Sequence, residues 1–170
     1  MKITSFIDSK FKSHAGRYIF QCFLATLSIF FVLFFIDLLT HKVTIASLGA
    51  TAFIVFTRPK YYSSMPRRLF GGYVVGASVG YSCYLLSQIT FFENLIQNPQ
   101  TFLIFWGAVA VGLSIFIMVV TDTEHPPCAG FALGMVIGEW DEVTILYIFA
   151  ALLFMFILKK TFYPLLIDLI

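Results

Sequence analysis

The chain has 170 residues and a net charge of +2, with 59% of positions hydrophobic and only 12% charged; soluble domains carry roughly 25% charged residues, so a soluble surface cannot be built from it. Its 21 phenylalanines must be covered by lipid and by neighbouring helices. A single all-α transmembrane domain over residues 1–170 is expected, and the slight basic excess belongs to membrane topology, not to a nucleic-acid partner.

In chain order, Lys2, Lys10, Lys12 and Arg17 precede a first long apolar run at 17–39, which ends at Asp37 and Thr40 and not at a small-residue cleavage site. A retained transmembrane helix is therefore expected in place of a signal peptide. Further long runs follow at 69–91, 101–121 and 143–162. Each has the roughly 20 residues needed to cross a hydrocarbon core of about 30 Å. Two apolar stretches, 43–57 and 127–139, reach only about 20 Å as helices and are expected as half-length membrane segments, either crossing or re-entrant.

Charge separates those two arrangements. If both short segments cross, Lys2, Lys10, Lys12, Arg17, Arg58, Lys60, Arg67, Arg68, Lys159 and Lys160 all fall on one side, and Lys42 faces the other with Glu93, Glu139, Asp141 and Glu142. Lys and Arg concentrate in cytoplasmic loops, so six passages with both termini cytoplasmic are expected, in a membrane such as the bacterial inner membrane. The order long, short, long then occurs twice, over 17–91 and 101–162. Because three crossings is an odd number, the two units form an inverted repeat.

Small residues mark helix contacts in lipid, where no hydrophobic drive joins helices. Gly72, Gly76 and Gly80 repeat every four residues, as do Gly130, Gly134 and Gly138; these faces serve either the fold or a contact between subunits. A bundle this small exposes much of its surface, and a homo-oligomer is expected. Cys22, Cys83 and Cys128 lack paired spacing, and no histidine has ligand spacing, so neither a disulfide framework, a metal site nor a cofactor is expected.

Short interrupted segments at matching places in two halves point to a transporter's binding site, because each brings a helix end to mid-membrane. A helix N-terminus there exposes N–H groups and the positive end of the dipole, which suits an anion. The first segment offers Ser47, Gly49, Ala50 and Thr51, with Arg58 at its close. The second opens with His125, Pro126, Pro127, Cys128, Ala129 and Gly130. The competing reading is that the hydroxyls bond to backbone and the glycines only pack. His125, with Glu124 or Asp122 as partner, is also a candidate for proton coupling, set against the reading that all three are solvated in a loop.

The ordered set Ser47-Leu48-Gly49-Ala50-Thr51-Ala52, Arg58-Pro59, Pro66-Arg67, Gly71-Gly72 and His125-Pro126-Pro127 before Ala129-Gly130 resembles the HPP family of integral membrane proteins over about residues 20–160. The resemblance implies a small membrane protein, usually described with four transmembrane helices, whose plastid and cyanobacterial relatives are associated with nitrite transport. The expectation is thus a transporter or channel for a small inorganic anion, nitrite first, in contact with membrane lipid and without catalytic chemistry. The contrasting expectation is an assembly protein using its glycine faces.

Overall fold

The computed structural model describes residues 9–35, 42–89, 98–138 and 141–170. Six α-helices lie in these residues: α1 Ser9–Phe35, α2 Lys42–Thr57, α3 Pro66–Ser87, α4 Pro99–Val120, α5 Pro127–Ile137 and α6 Glu142–Phe162. Helices α1, α3, α4 and α6 are long and apolar enough to span a bilayer, and α2 and α5 are the shorter apolar pair. At 16 and 11 residues, α2 and α5 are about 24 Å and 16 Å long.

Start signals fix most of these boundaries. Proline occupies the first turn of α3, α4 and α5, where its missing N–H costs nothing. Asn98 Oδ1 caps α4 by accepting from Gln100 N and Thr101 N, each at 3.0 Å. Asp141 caps α6 by accepting from Thr144 N at 2.7 Å. Helix α1 begins eight residues before the expected 17, with a break from helical geometry at His14. The expected ends at 36–39, 90–91 and 139 lie outside the described residues, as do Lys2, Asp37, Thr40, Glu93 and Glu139.

Hydrogen bonds gather one end of the bundle. Tyr18 of α1 donates to the Leu169 carbonyl at 2.7 Å. Gln21 of α1 donates to the carbonyls of Phe56, at the close of α2, and of Ile167. Lys159, near the close of α6, donates to the Ser64 carbonyl just before α3. Arg68, at the start of α3, pairs with Asp122 beyond α4, and Arg67 donates to the Thr121 carbonyl at 3.1 Å. Successive helices therefore alternate in direction. The start of α1, the 58–65 and 121–126 connections and the 163–170 tail share one end, together with Arg17, Arg58, Lys60, Arg67, Arg68, Lys159 and Lys160. A re-entrant α2 would instead have put the start of α3 at the end opposite to the start of α1.

The helix pairs in broad contact are α1–α2, α4–α5, α3–α5, α2–α6, α3–α4, α1–α6 and α2–α5, with a lesser α3–α6 contact. Exchanging α1 with α4, α2 with α5 and α3 with α6 returns the same set of pairs. The core is centred on the short helices, with Leu48, Phe56, Tyr73, Phe131, Met135 and Leu152 fully or almost fully buried. Outside, Phe23, Phe30, Phe34, Ile104, Phe116 and Leu146 are exposed; large apolar side chains in such number suit lipid and not water.

Gly72, Gly76, Gly80 and Gly134 are packed against neighbouring segments inside the chain. A methyl group at Gly76 would sit 2.7 Å from the Cys128 carbonyl oxygen, and one at Gly80 2.6 Å from Met135 Cβ. At Gly72 it would meet Cys128 Sγ and His125 Cβ at 2.9 Å. These three residues let α3 lie directly against α5, while Gly134 admits Thr44 of α2 on the other side.

Candidate functional site

Helices α2 and α5 run antiparallel in a regular register. Gly134 lies against Thr44, Gly130 against Ser47, and His125, just before α5, against Thr51. The N-terminus of α2 therefore lies beside the second half of α5, and the N-terminus of α5 beside the middle of α2.

At that second contact lies a buried polar chain. His125 is fully buried, and so are Thr51 and Tyr73 of α3. His125 Nδ1 is 2.8 Å from the Ser63 carbonyl. A carbonyl only accepts, so Nδ1 carries the proton, and in the neutral ring Nε2 is left as an acceptor. Thr51 Oγ1, 3.0 Å from Nε2, then donates to it, and the Tyr73 hydroxyl, 2.9 Å from Thr51, donates to Thr51. Ser47 Oγ donates to the Thr44 carbonyl at 2.7 Å and lies 3.5 Å from the Tyr73 oxygen. The proton positions along His125, Thr51 and Tyr73 thus follow from the Ser63 carbonyl. Burial pushes the His125 imidazole down to about 4, against an opposing pull from its bond to Ser63, so the ring is neutral at pH 7.

The remaining expected residues are distributed around this chain. Pro127 and Cys128 are buried beside it, Pro126 is exposed and Gly130 half-buried. The first turn of α5 offers fewer free N–H groups than a helix N-terminus normally does. Pro127 has none, Cys128 N–H donates to the His125 carbonyl at 2.9 Å, and Ala129 N–H to the Pro126 carbonyl at 3.2 Å. Gly49 and Ala50 face away from His125: Gly49 lines an apolar groove with Gln21, Ile29 and Phe53 between α1 and α2, and Ala50 is exposed. The Arg58 guanidinium lies over the Tyr61 ring, 4.5 Å from its centroid. Neither proposed proton partner reaches His125. Asp122 is paired with Arg68 and lies 3.8 Å from Arg67, and Glu124 is half-buried in the same connection.

Two participants are not anticipated from the sequence. Tyr73 lies eight residues into α3, too deep for the interfacial tyrosine belt, and depth along the span is the signal that marks it. Lys159 is only 7% exposed, and its Nζ donates to the Ser64 carbonyl at 2.6 Å and to Ser64 Oγ at 2.9 Å. It continues the buried stripe of Ile148, Leu152 and Met155 at helical spacing, which distinguishes it from its exposed neighbour Lys160. Ser63 and Ser64 thus hold His125 and Lys159 on adjacent residues of one short turn.

Six alternating helices, four long and two short, around a buried polar contact between the short pair define a polytopic integral membrane protein. The chain belongs to the HPP family: the family model described as the HPP transmembrane region matches residues 11–162. It is also 36% identical over 97 residues to a curated transmembrane protein of Dictyostelium discoideum, a match covering 57% of this chain and 31% of that protein. This chain therefore aligns with less than a third of that relative's length. No solved structure matches.

Proposed function

We propose that this protein carries a small inorganic anion across the membrane, nitrite being the first candidate through the family resemblance, and that the α2–α5 contact is the translocation site. The observation that carries this reading is the Tyr73–Thr51–His125 chain, a run of hydroxyls and a neutral imidazole buried where two half-length helices of an inverted packing meet. In transporters of inverted-repeat build, the substrate binds near mid-membrane at the repeat interface, against interrupted helices. The hydroxyls of Thr51, Tyr73 and Ser47 are uncharged donors, satisfied in this arrangement by His125, Thr51 and the Thr44 carbonyl respectively. When α2 and α5 part, the same O–H groups turn to an anion, and in a medium of low dielectric such bonds are stronger than in water.

A neutral His125 fits this role because Nδ1–H holds it to Ser63 while Nε2 fixes the direction of the hydroxyl chain. Helix-end N–H groups contribute less than the sequence implied, since the first turn of α5 is already bonded. The basic end is read as cytoplasmic under the positive-inside rule, where its field concentrates anions at the mouth. The assembly-protein reading has less to stand on, because the glycine faces it needs are packed within the chain.

The test is uptake of nitrite, nitrate and chloride into liposomes containing the purified protein. Saturable uptake of one anion above empty liposomes is expected; no flux of any of the three from folded protein overturns the proposal.

A further inference from the structure

A second polar locality adjoins the α2–α5 contact through the Tyr62–Ser64 turn. A cavity of about 310 Å³ opens between the 59–66 connection and the close of α6. This is at the lower end of ligand-pocket volumes, ~300–1,000 Å³. Met65 and Phe156 supply apolar wall, and Lys60, Lys159, Lys160 and Tyr163 also line it; no carboxylate is among its described lining residues. Lys159 is the unusual member. It is more than nine-tenths buried, and Ser64 satisfies two of its three N–H donors, but a neutral serine cannot balance its charge. Asp168 is close enough for its charge to act on Lys159, yet it is not within salt-bridge distance, and its Oδ1 accepts the Lys60 backbone N–H at 3.0 Å. A cation this deep in apolar surroundings calls for a counter-charge.

From this geometry we infer that the cavity is a binding site for the headgroup of an anionic phospholipid, with its phosphate on Lys159, Lys160 and Lys60. Two features select a lipid over a free anion. Lys159 lies three residues from the end of α6, about 5 Å along the axis, and the end of an apolar span is where a side chain reaches headgroup phosphates. The wall of Met65 and Phe156 offers nothing to a small hydrated ion, but it suits the glycerol and first acyl carbons that a phospholipid brings with its phosphate. Basic pockets between transmembrane helices bind acidic headgroups by this combination. Since Ser64 adjoins Ser63, the lipid would also steady the turn that holds His125.

The test measures binding to the delipidated full-length chain in detergent, by native mass spectrometry and by thermal shift. The probes are phosphatidylglycerol, phosphatidylcholine and inorganic phosphate. Phosphatidylglycerol is expected to bind and raise Tm, with neither of the other two doing so. A lysine near a membrane surface is worth about a fivefold change in affinity. Lys60→Gln and Lys160→Gln, both at exposed positions and expected to fold, should each weaken phosphatidylglycerol binding by about that factor. Lys159→Met should weaken it further if it folds. Lys12→Gln, on α1 outside the cavity, should leave it unchanged. Equal binding of phosphatidylcholine, an equal shift by inorganic phosphate, unchanged affinity in Lys60→Gln and Lys160→Gln, or an equal loss in Lys12→Gln would each overturn the inference.

Discussion

Replacing Gly76 by alanine tests the α3–α5 contact on which the site rests. A methyl group there would stand 2.7 Å from the Cys128 carbonyl oxygen and 3.4 Å from Phe131 Cδ1. The first distance is closer than a methyl carbon can approach a carbonyl oxygen without something shifting. The obstructing atom is helix backbone, which no rotamer change can move, so α3 and α5 must separate along the stripe that also holds Gly72 and Gly80. Overpacking of this kind costs about 1–3 kcal/mol. At ~2–4 °C per kcal/mol for a chain of this size, Gly76→Ala should lower Tm by about 2–12 °C. Gly112→Ala is the matched control, since a methyl on that face of α4 meets nothing within 4 Å and alanine is the better helix former; its Tm should hold or rise. Thermal unfolding of both variants in one detergent, followed by tryptophan fluorescence and by circular dichroism, gives the comparison. Gly76→Ala as stable as the parent would refute the close packing of α3 on α5.

Other consequences follow from the buried polar groups. Because burial lowers the His125 pKa to about 4, below the ~6.5 of an unfolded histidine, the unfolded chain binds the extra proton first. Its contribution to stability is present above about pH 6.5 and is lost as pH falls towards 4. In His125→Gln, chemical denaturation across that window should show a flatter pH dependence, and an unchanged profile would contradict a buried neutral ring. Ser64→Ala removes a hydroxyl within 2.9 Å of three carbonyls and of Lys159 Nζ, and should cost about 1–3 kcal/mol. The check is a shift in denaturation midpoint with an unaltered slope.

Much of the fold is legible in the sequence because hydrophobic run length in lipid is nearly a direct measure of helix length. The two short segments fall at 42–57 and 127–137, close to where Lys42, Thr57 and the Pro126-Pro127 pair suggest. The placing of Arg58, Lys60, Arg67 and Arg68 at the end that holds the start of α1 follows from the clustering of basic residues. The site is legible in part. Ser47, Thr51 and His125 are brought together, whereas Gly49, Ala50 and Arg58 point elsewhere. That division depends on rotation of α2 about its own axis, and a helix apolar on nearly every face carries almost no periodic signal to fix it. Tyr73 was hidden for a related reason: its partner Thr51 comes from another helix, and only the register of α2, α3 and α5 shows that the two hydroxyls meet. Lys159 is indistinguishable from a topology lysine in the sequence, because its burial arises where the α6 stripe meets the 62–64 turn.

The transport reading rests on the Tyr73–Thr51–His125 chain, and Thr51→Val is the substitution that reaches it with least change of shape. Valine keeps the volume and removes the one hydroxyl that links Tyr73 to His125. The decisive measurement is the initial rate of nitrite uptake by proteoliposomes of the parent and of Thr51→Val, with correct folding of each verified by gel filtration and circular dichroism. Saturable uptake by the parent and a loss of at least tenfold in the variant, equivalent to ~1.4 kcal/mol, is the predicted result. Equal saturable uptake by both would contradict a translocation site at this contact.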